Sequence, residues 1–514
     1  MKTVFVLFDS LNRHLLGAYG GHRIPTPNFD RLAAKTLTFE KHYVGSLPCM
    51  PARRDMLTGR LSFLHRSWGP LEPFDAAAPE LLHRAGVYSH LITDHFHYWE
   101  DGGATYHNRY NSYEFVRGQE GDPWKAMVQP HWERLREMYH ARQFTTERRK
   151  YHSQNIINRE FIKEEKDFPS VQCFAHGFEF LQCNRNADNW LLQIETFDPH
   201  EPFHAPARFK ARFDTGWNGP IRDWPRYGRV DELPAECEEL RANYYAVVSM
   251  CDFLLGQLLD AFDHHDMWND TALVVTTDHG FLLGEHDFWA KNRMNLYEEI
   301  VHIPLFVHDP RFPQPGERTA VLTQSIDLAP TFLDLFGVAP PPEIEGYSVL
   351  AAARAARPLR EAALFGYFGG AVNVTDGTYT YHRFPADPKN QELFQYTVMP
   401  THIHSAFLPE ELAGTSLSDG FPFTKGAKVL KVPVIERSPM YLNYGPGALL
   451  ENDTRLYDLA ADPGQQHPLK DPAQERRLAA LMAQLMAANQ APPEAFRRLD
   501  LVEPAIALQH ETQS

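Results

Sequence analysis

The sequence predicts an α/β fold, a large, mostly parallel sheet sandwiched by helices with a smaller C-terminal α+β subdomain. Three observations predict it. Short apolar, β-branched runs such as "VFVLF" (4–8) and "TALVV" (271–275) read as strands buried on both faces. Helix-like stretches alternate with them as far as residue 337, as crossover connections between parallel strands require. After about residue 355 the pieces become shorter and the alternation stops.

In chain order, strand 4–8 leads to a helix in "TPNFDRLAAK" (26–35), with Thr26 expected as its cap and Pro27 in its first turn. A helix "APELLHRAG" (78–86) precedes a strand "YSHLITD" (88–94). Further strands are expected at 189–198, 271–278 and 303–309. A long amphipathic helix near 236–262 and a helix at 325–337 ending at Gly337 complete the pattern. The stretch 101–170 is polar and mixed in charge, too long for a plain loop, and reads as an insertion with its own helices. The Trp, Tyr and His residues from 98 to 113 fit the mouth of a substrate pocket and the insertion's own core equally well. The C-terminal part offers strands in "ALFGYF", "TYTYHRF" and "RLYDL" and a helix at 475–488 whose apolar stripe could also serve a homo-oligomer interface.

Composition narrows the function classes. The 514 residues can bury a large core, and the net charge of −16 argues against a nucleic-acid backbone binder. Five cysteines at irregular spacing imply no disulfide framework. The opening "MKTVFVLFDS" has only five apolar residues before Asp9, short of the roughly 7–15 of a secretory core. No uninterrupted apolar run approaches the roughly 18 residues of a membrane span. A cytoplasmic protein without membrane contact is expected.

Ligands of open α/β sheets bind beyond the carboxyl ends of the strands, and four predicted strands end in aspartate: Asp9, Asp94, Asp198 and Asp278. Two carboxylates and an imidazole at such ends, Asp9 with Asp278-His279, suit a divalent cation. Asp-His-Gly after a strand is also a common turn composition. His95, His97 and His107 could be imagined as a zinc site, but their spacing fits no standard ligand pattern. Cys49 stands between two prolines in "SLPCMPARRDMLTGR" (46–60), either as a buried small hydrophobe at a helix start or as the chemistry itself.

Taken together these stretches resemble the type I sulfatase family of the alkaline phosphatase superfamily. "CMPAR" matches Cys-x-Pro-x-Arg with "LTGR" following. "TPNFDRLA", "TTDHGFLLGEH" and "LYDLAADP" are similar to the family's first helix, second metal-binding stretch and C-terminal turn. The resemblance runs from residue 4 to about 465. With the change of pattern after about residue 355, a catalytic domain at 1–355 carrying the 101–170 insertion and a C-terminal subdomain at 356–514 are expected. The resemblance implies hydrolysis of small-molecule sulfate monoesters, aryl or alkyl, after a separate formylglycine-generating enzyme converts Cys49 to Cα-formylglycine. Asp9, Asp278 and His279 match metal ligands, completed by the Cys49-derived diol. Arg53 matches the residue that orients the diol, and Lys291 and His200 match the groups at the sulfate and leaving group. In "TDHFH" (93–97), His97 keeps the family's histidine position and is expected as the base, with His95 as an anion contact. Ser10 and His279 depart from the usual second aspartate and asparagine. This leaves one cation, Ca2+ or Mn2+, and shares a pattern with phosphonate monoester hydrolases, so phosphonate monoester or phosphodiester hydrolysis is the alternative.

Overall fold

In the computed structural model, which describes residues 1–144, 149–355 and 358–504, strand β1 (Lys2–Phe8) lies inside an eight-stranded sheet. The others are β2 (Leu37–Phe39), β3 (Tyr88–Thr93), β4 (Ser112–Phe115), β5 (Trp190–Thr196), β6 (Thr271–Thr277), β7 (Leu305–His308) and β8 (Arg318–Thr319). Their spatial order is β8-β2-β7-β6-β1-β5-β3-β4. Only β7 runs against its neighbours, β6 and β2; the remaining pairs are parallel.

The period-2 alternation of β1 shows why the sheet needs helices on both faces. Val4, Val6 and Phe8 point to one side, against Leu240, Val247, Leu254 and Leu258 of the helix Pro234–His264. Phe5 and Leu7 point to the other, against Leu328 and Phe332 of the helix Leu328–Leu335 and Leu82 of the helix Ala78–Arg84. Each such side chain contributes about 1.5–3 kcal/mol by its burial. The helix Pro234–His264 is long and apolar enough by composition to cross a membrane, although charged residues interrupt it; 72% of its most apolar window is buried here.

Two expectations change. The first helix spans Pro27–Ala33, but the Thr26 side chain does not cap it; Thr26 Oγ1 instead accepts the Gly17 N–H at 2.9 Å. The segment 101–170 is not helical alone, since β4 within it forms the sheet's edge beside β3.

Four antiparallel strands (Ala363–Gly366, Val372–Thr375, Tyr379–Arg383 and Arg455–Asp458) make a second sheet, packed by Leu478, Met482 and Met486 of the helix Pro472–Ala488. This sheet reaches the site directly. Leu47 N–H donates to the Gly366 carbonyl at 2.9 Å, and Gly366 N–H donates to that of Gly45 at 3.1 Å. The loop that delivers Cys49 is therefore held from the C-terminal side.

Candidate active site

The sheet register assembles the site. Phe8 lies across from Thr196 on one side and Thr277 on the other, so Asp9 and Asp278 leave adjacent strand ends side by side. Glu195 of β5 sits opposite Leu7 and Thr93, and His95 follows the end of β3.

Cys49 begins the helix Cys49–Thr58, which is buried along its whole length. Asp55, one and a half turns on, fixes the preceding loop. Its carboxylate accepts the Ser46 N–H at 2.6 Å and the Ser62 N–H at 2.9 Å, and the Ser46 hydroxyl accepts the N–H groups of Ser62 and Phe63. Ser46 and Asp55 thus form a clamp: the helix supplies the carboxylate acceptor and the loop the N–H donors.

One turn after Cys49, Arg53 occupies the centre of the carboxylates. Nη1 donates to Asp278 Oδ2 at 2.6 Å, Nε donates to Glu195 Oε1 at 2.7 Å, and Nη2 lies 2.9 Å from Asp9 Oδ2. All four groups are buried. Burial opposes ionisation of Asp9, but Arg53, with His200 and Lys291, outweighs it and holds that carboxyl well below its usual range. Asp278 moves the other way, pushed up by burial and by the neighbouring Asp9 charge.

Asp9, Cys49, Asp278 and His279 offer ligand atoms that all lie within 4.8 Å of one another. The donor set fits a divalent cation on two grounds. Asp9 Oδ2 is buried and accepts no aligned hydrogen bond despite the nearby guanidinium. His279 Nδ1 meets the Gly280 carbonyl at 2.9 Å, so it carries the proton and Nε2, 3.3 Å from Cys49 Sγ, is left with its lone pair facing the cluster. Burial, reinforced by Lys291, lowers His279 to about 3 and keeps the ring neutral, the form that binds metals.

Lys291 follows the short strand Phe288–Ala290 and is buried, with Nζ donating to Ser10 Oγ at 2.9 Å and lying 3.4 Å from Cys49 Sγ. Ser10 Oγ in turn donates to Asp9 Oδ1 at 2.7 Å, so Ser10 relays the lysine to the Asp9 carboxylate. The Cys49 thiol is itself pushed well above its usual range by burial and by Asp9, which leaves it a protonated, weakly nucleophilic group.

The histidines divide. His95 Nε2 lies 3.6 Å from Asp9 Oδ2, fully buried. His200 Nδ1 meets the Glu201 carbonyl at 2.6 Å while its ring packs on Phe197. His97 is turned to other partners, Glu100 at 2.7 Å and the rings of Trp68 and His404. His107 joins neither group; it stacks on Trp99 at 4.4 Å, and Trp99 stacks on Phe115. The aromatics of 98–113 thus serve packing in part, with Tyr98, Tyr106 and Tyr110 buried.

Sequence reasoning missed Glu195, Glu100 and His404, and met Tyr98 only among the aromatics of 98–113. Glu195 had a signal, a carboxylate inside the apolar strand "WLLQIET", and Tyr98 Oη donates to its other oxygen at 3.1 Å. His404 had none, since it reaches the site only through the packing of a distant loop.

A buried carboxylate pair, one imidazole and a cysteine at a helix start thus meet at the C-terminal edge of a mostly parallel sheet, a donor set able to hold a divalent cation. Residues 2–338 match the sulfatase family, and residues 284–415 match the N-sulphoglucosamine sulphohydrolase C-terminal family. The chain belongs to the sulfatase family, and its enzyme class is sulfuric ester hydrolase. It is 24% identical over 400 residues to the N-acetylglucosamine-6-O-sulfatase of Bacteroides thetaiotaomicron, covering 68% of this chain and 70% of that one. It is also 24% identical over 441 residues to the choline-sulfatase of Rhizobium meliloti, covering 78% and 81%. Among solved structures, one in complex with its substrate D-glucosamine-2-N,6-O-disulfate aligns over 96% of this chain and 99% of its own, with TM-score 0.67 and 16% identity. The phosphonate monoester hydrolase from Silicibacter pomeroyi aligns over 96% and 97%, with TM-score 0.64 and 17% identity.

Proposed function

We propose that the protein hydrolyses aryl or alkyl sulfate monoesters through a formylglycine made from Cys49, with one divalent cation held by Asp9, Asp278, His279 and the residue at 49. The observation that carries this reading is the position of Cys49: the first residue of a buried helix, within reach of two carboxylates, an imidazole and the Lys291 ammonium. As a thiol it is kept protonated there, so the position favours a residue that becomes something else. The hydrated aldehyde supplies two hydroxyls, one to take the sulfuryl group and one to expel it. The cation, when bound, supplies charge for the sulfuryl oxygens and lowers the pKa of the attacking hydroxyl.

The chain's own groups do the rest. Arg53 holds Asp9, Glu195 and Asp278 in one arrangement, which orients the ligands rather than the substrate. Lys291 brings a fixed positive charge to the reacting residue, and Ser10 fixes its direction. His200 donates its Nδ1 proton to a backbone carbonyl, which leaves Nε2 as the atom to exchange a proton with the leaving group. The sequence assigns the final proton abstraction to His97. The geometry favours His95 for that role, because His95 faces Asp9 while His97 is tied to Glu100. An imidazole ligand favours Mn2+ over Ca2+. A separate formylglycine-generating enzyme is the implied maturation partner.

The alternative is hydrolysis of phosphonate monoesters or phosphodiesters, favoured by one observation: Ser10 stands where the sulfatase pattern has a second aspartate and His279 where it has asparagine, so the cation site loses a carboxylate and gains an imidazole. Comparing kcat/KM for an aryl sulfate and an aryl phosphonate monoester tests the reading. A higher value on the sulfate supports it, and a higher value on the phosphonate replaces it with the alternative.

A further inference from the structure

We propose that His97, Glu100 and His404 form a second metal site, selective for zinc, beside the catalytic cluster. The three residues offer one ligand atom each within 4.8 Å of one another. Both imidazoles present the same atom, Nδ1, to the same carboxylate oxygen, Glu100 Oε2; the His97 contact is 2.7 Å and His404 makes the other. Two nitrogens and one oxygen are a donor set that suits zinc better than a hard cation.

The arrangement is built before any ion arrives. His97 and Glu100 lie three residues apart across the 3₁₀ turn Phe96–Trp99, and in that helix side chains at i and i+3 eclipse. His404 comes from the C-terminal part, on a turn where His402 N–H donates to the Ser405 carbonyl at 2.8 Å. The two segments are joined by backbone: Gly102 N–H donates to the Ile403 carbonyl at 2.9 Å, and Ile403 N–H donates to that of Trp68 at 3.3 Å. The approach is close enough to require glycine, since a Cβ at residue 102 would lie 2.2 Å from the His402 oxygen and one at 103 would lie 1.8 Å from the His97 oxygen. Trp68 packs against both rings, at 5.1 Å from His404 and 5.4 Å from His97. Glu100 and His404 remain partly exposed, with 23% and 29% of their side chains accessible, so an ion can enter.

The competing account is a carboxylate that simply accepts two imidazole N–H groups. A bound metal also does something that account does not. It clamps residue 404 of the C-terminal part onto residues 97–100, next to His95 and hence to the catalytic cluster, whose ring lies 5.0 Å from that of His97.

The inference does not rest on the sulfatase mechanism, and its test is binding rather than turnover. The full-length protein is dialysed against zinc chloride and its metal content measured for the wild type and for Asp278→Asn, which removes one ligand of the catalytic cluster. His404→Ala and Glu100→Gln are each measured in the Asp278→Asn background. The proposal predicts that each double variant holds one zinc per chain fewer than Asp278→Asn. It also predicts that zinc raises the thermal midpoint of Asp278→Asn but not of Asp278→Asn/His404→Ala, which separates lost binding from lost folding. Zinc content unchanged by His404→Ala and Glu100→Gln, or absent from Asp278→Asn, overturns it and leaves the hydrogen-bonded triad.

Discussion

His279 Nε2 faces Cys49 Sγ across 3.3 Å, its other nitrogen fixed by the Gly280 carbonyl. A neutral ring held in one tautomer can serve as a metal ligand without reorganising. It follows that His279→Asn, which exchanges a nitrogen donor for an oxygen, shifts cation preference from Mn2+ toward Ca2+ by about tenfold or more, within the range that ligand-sphere changes produce. Competition between the two ions, followed by metal analysis of the bound fraction, measures this. An unchanged ratio places His279 outside the ligand set.

Arg53 is the counter-charge for three buried carboxylates, Asp9, Glu195 and Asp278. Removing one partner of a buried ion network leaves uncompensated charge, a cost of about 3–5 kcal/mol. Arg53→Met should therefore lower unfolding stability by that amount in chelator. Added cation should restore part of it, by neutralising Asp9 and Asp278. A stability within about 1 kcal/mol of wild type, where ordinary surface changes fall, would contradict the hub.

Lys291 approaches Cys49 Sγ at 3.4 Å; burial opposes its charge, and the Glu201 and Asp9 carboxylates keep it ionised. Lys291→Ala should lower kcat/KM on an aryl sulfate by about 10²–10³-fold, as loss of one preorganised donor to a developing charge does. Metal content should not change. A loss below about fivefold would make the lysine a spectator by the same scale.

Asp94 and Asp198 share Gln119 Nε2, at 3.0 and 3.2 Å, beneath His95 and Phe197. Burial pushes Asp198 up to about 7. A folded pKa raised above the unfolded one means that the folded state holds a proton the unfolded state has lost. Stability then falls as pH rises from about 4 to about 7 and levels off above. Asp198→Asn should flatten that slope, read from urea midpoints across pH 4.5–7.5. An identical slope in the variant would show that Asp198 titrates elsewhere.

Most of the sheet was legible because its strands are apolar on both faces and bounded by turn residues. Strands 2–8, 190–196 and 271–277 were found within two residues of their ends. β2 and β8 were not, since three and two residues carry no periodicity. The antiparallel course of β7 has no signature in "IPLFVHD", which reads as any buried strand. In the site, Asp9, Asp278 and His279 were visible as polar residues at strand ends, whereas Glu195 hides in mid-strand, where a lone carboxylate looks like an interruption. The role of Arg53 was also only half visible: the motif marks it, but that it binds three carboxylates depends on a register no local pattern encodes. His97 and His404 meet 307 positions apart in the chain, beyond any spacing argument.

The most direct measurement is mass spectrometry of the tryptic peptide His42–Arg53 from an active preparation made with its maturation enzyme. The account predicts replacement of the Cys49 thiol by an aldehyde, together with loss of sulfatase activity in Cys49→Ala at unchanged thermal stability. An unmodified thiol at residue 49 in protein that turns over sulfate esters would contradict it.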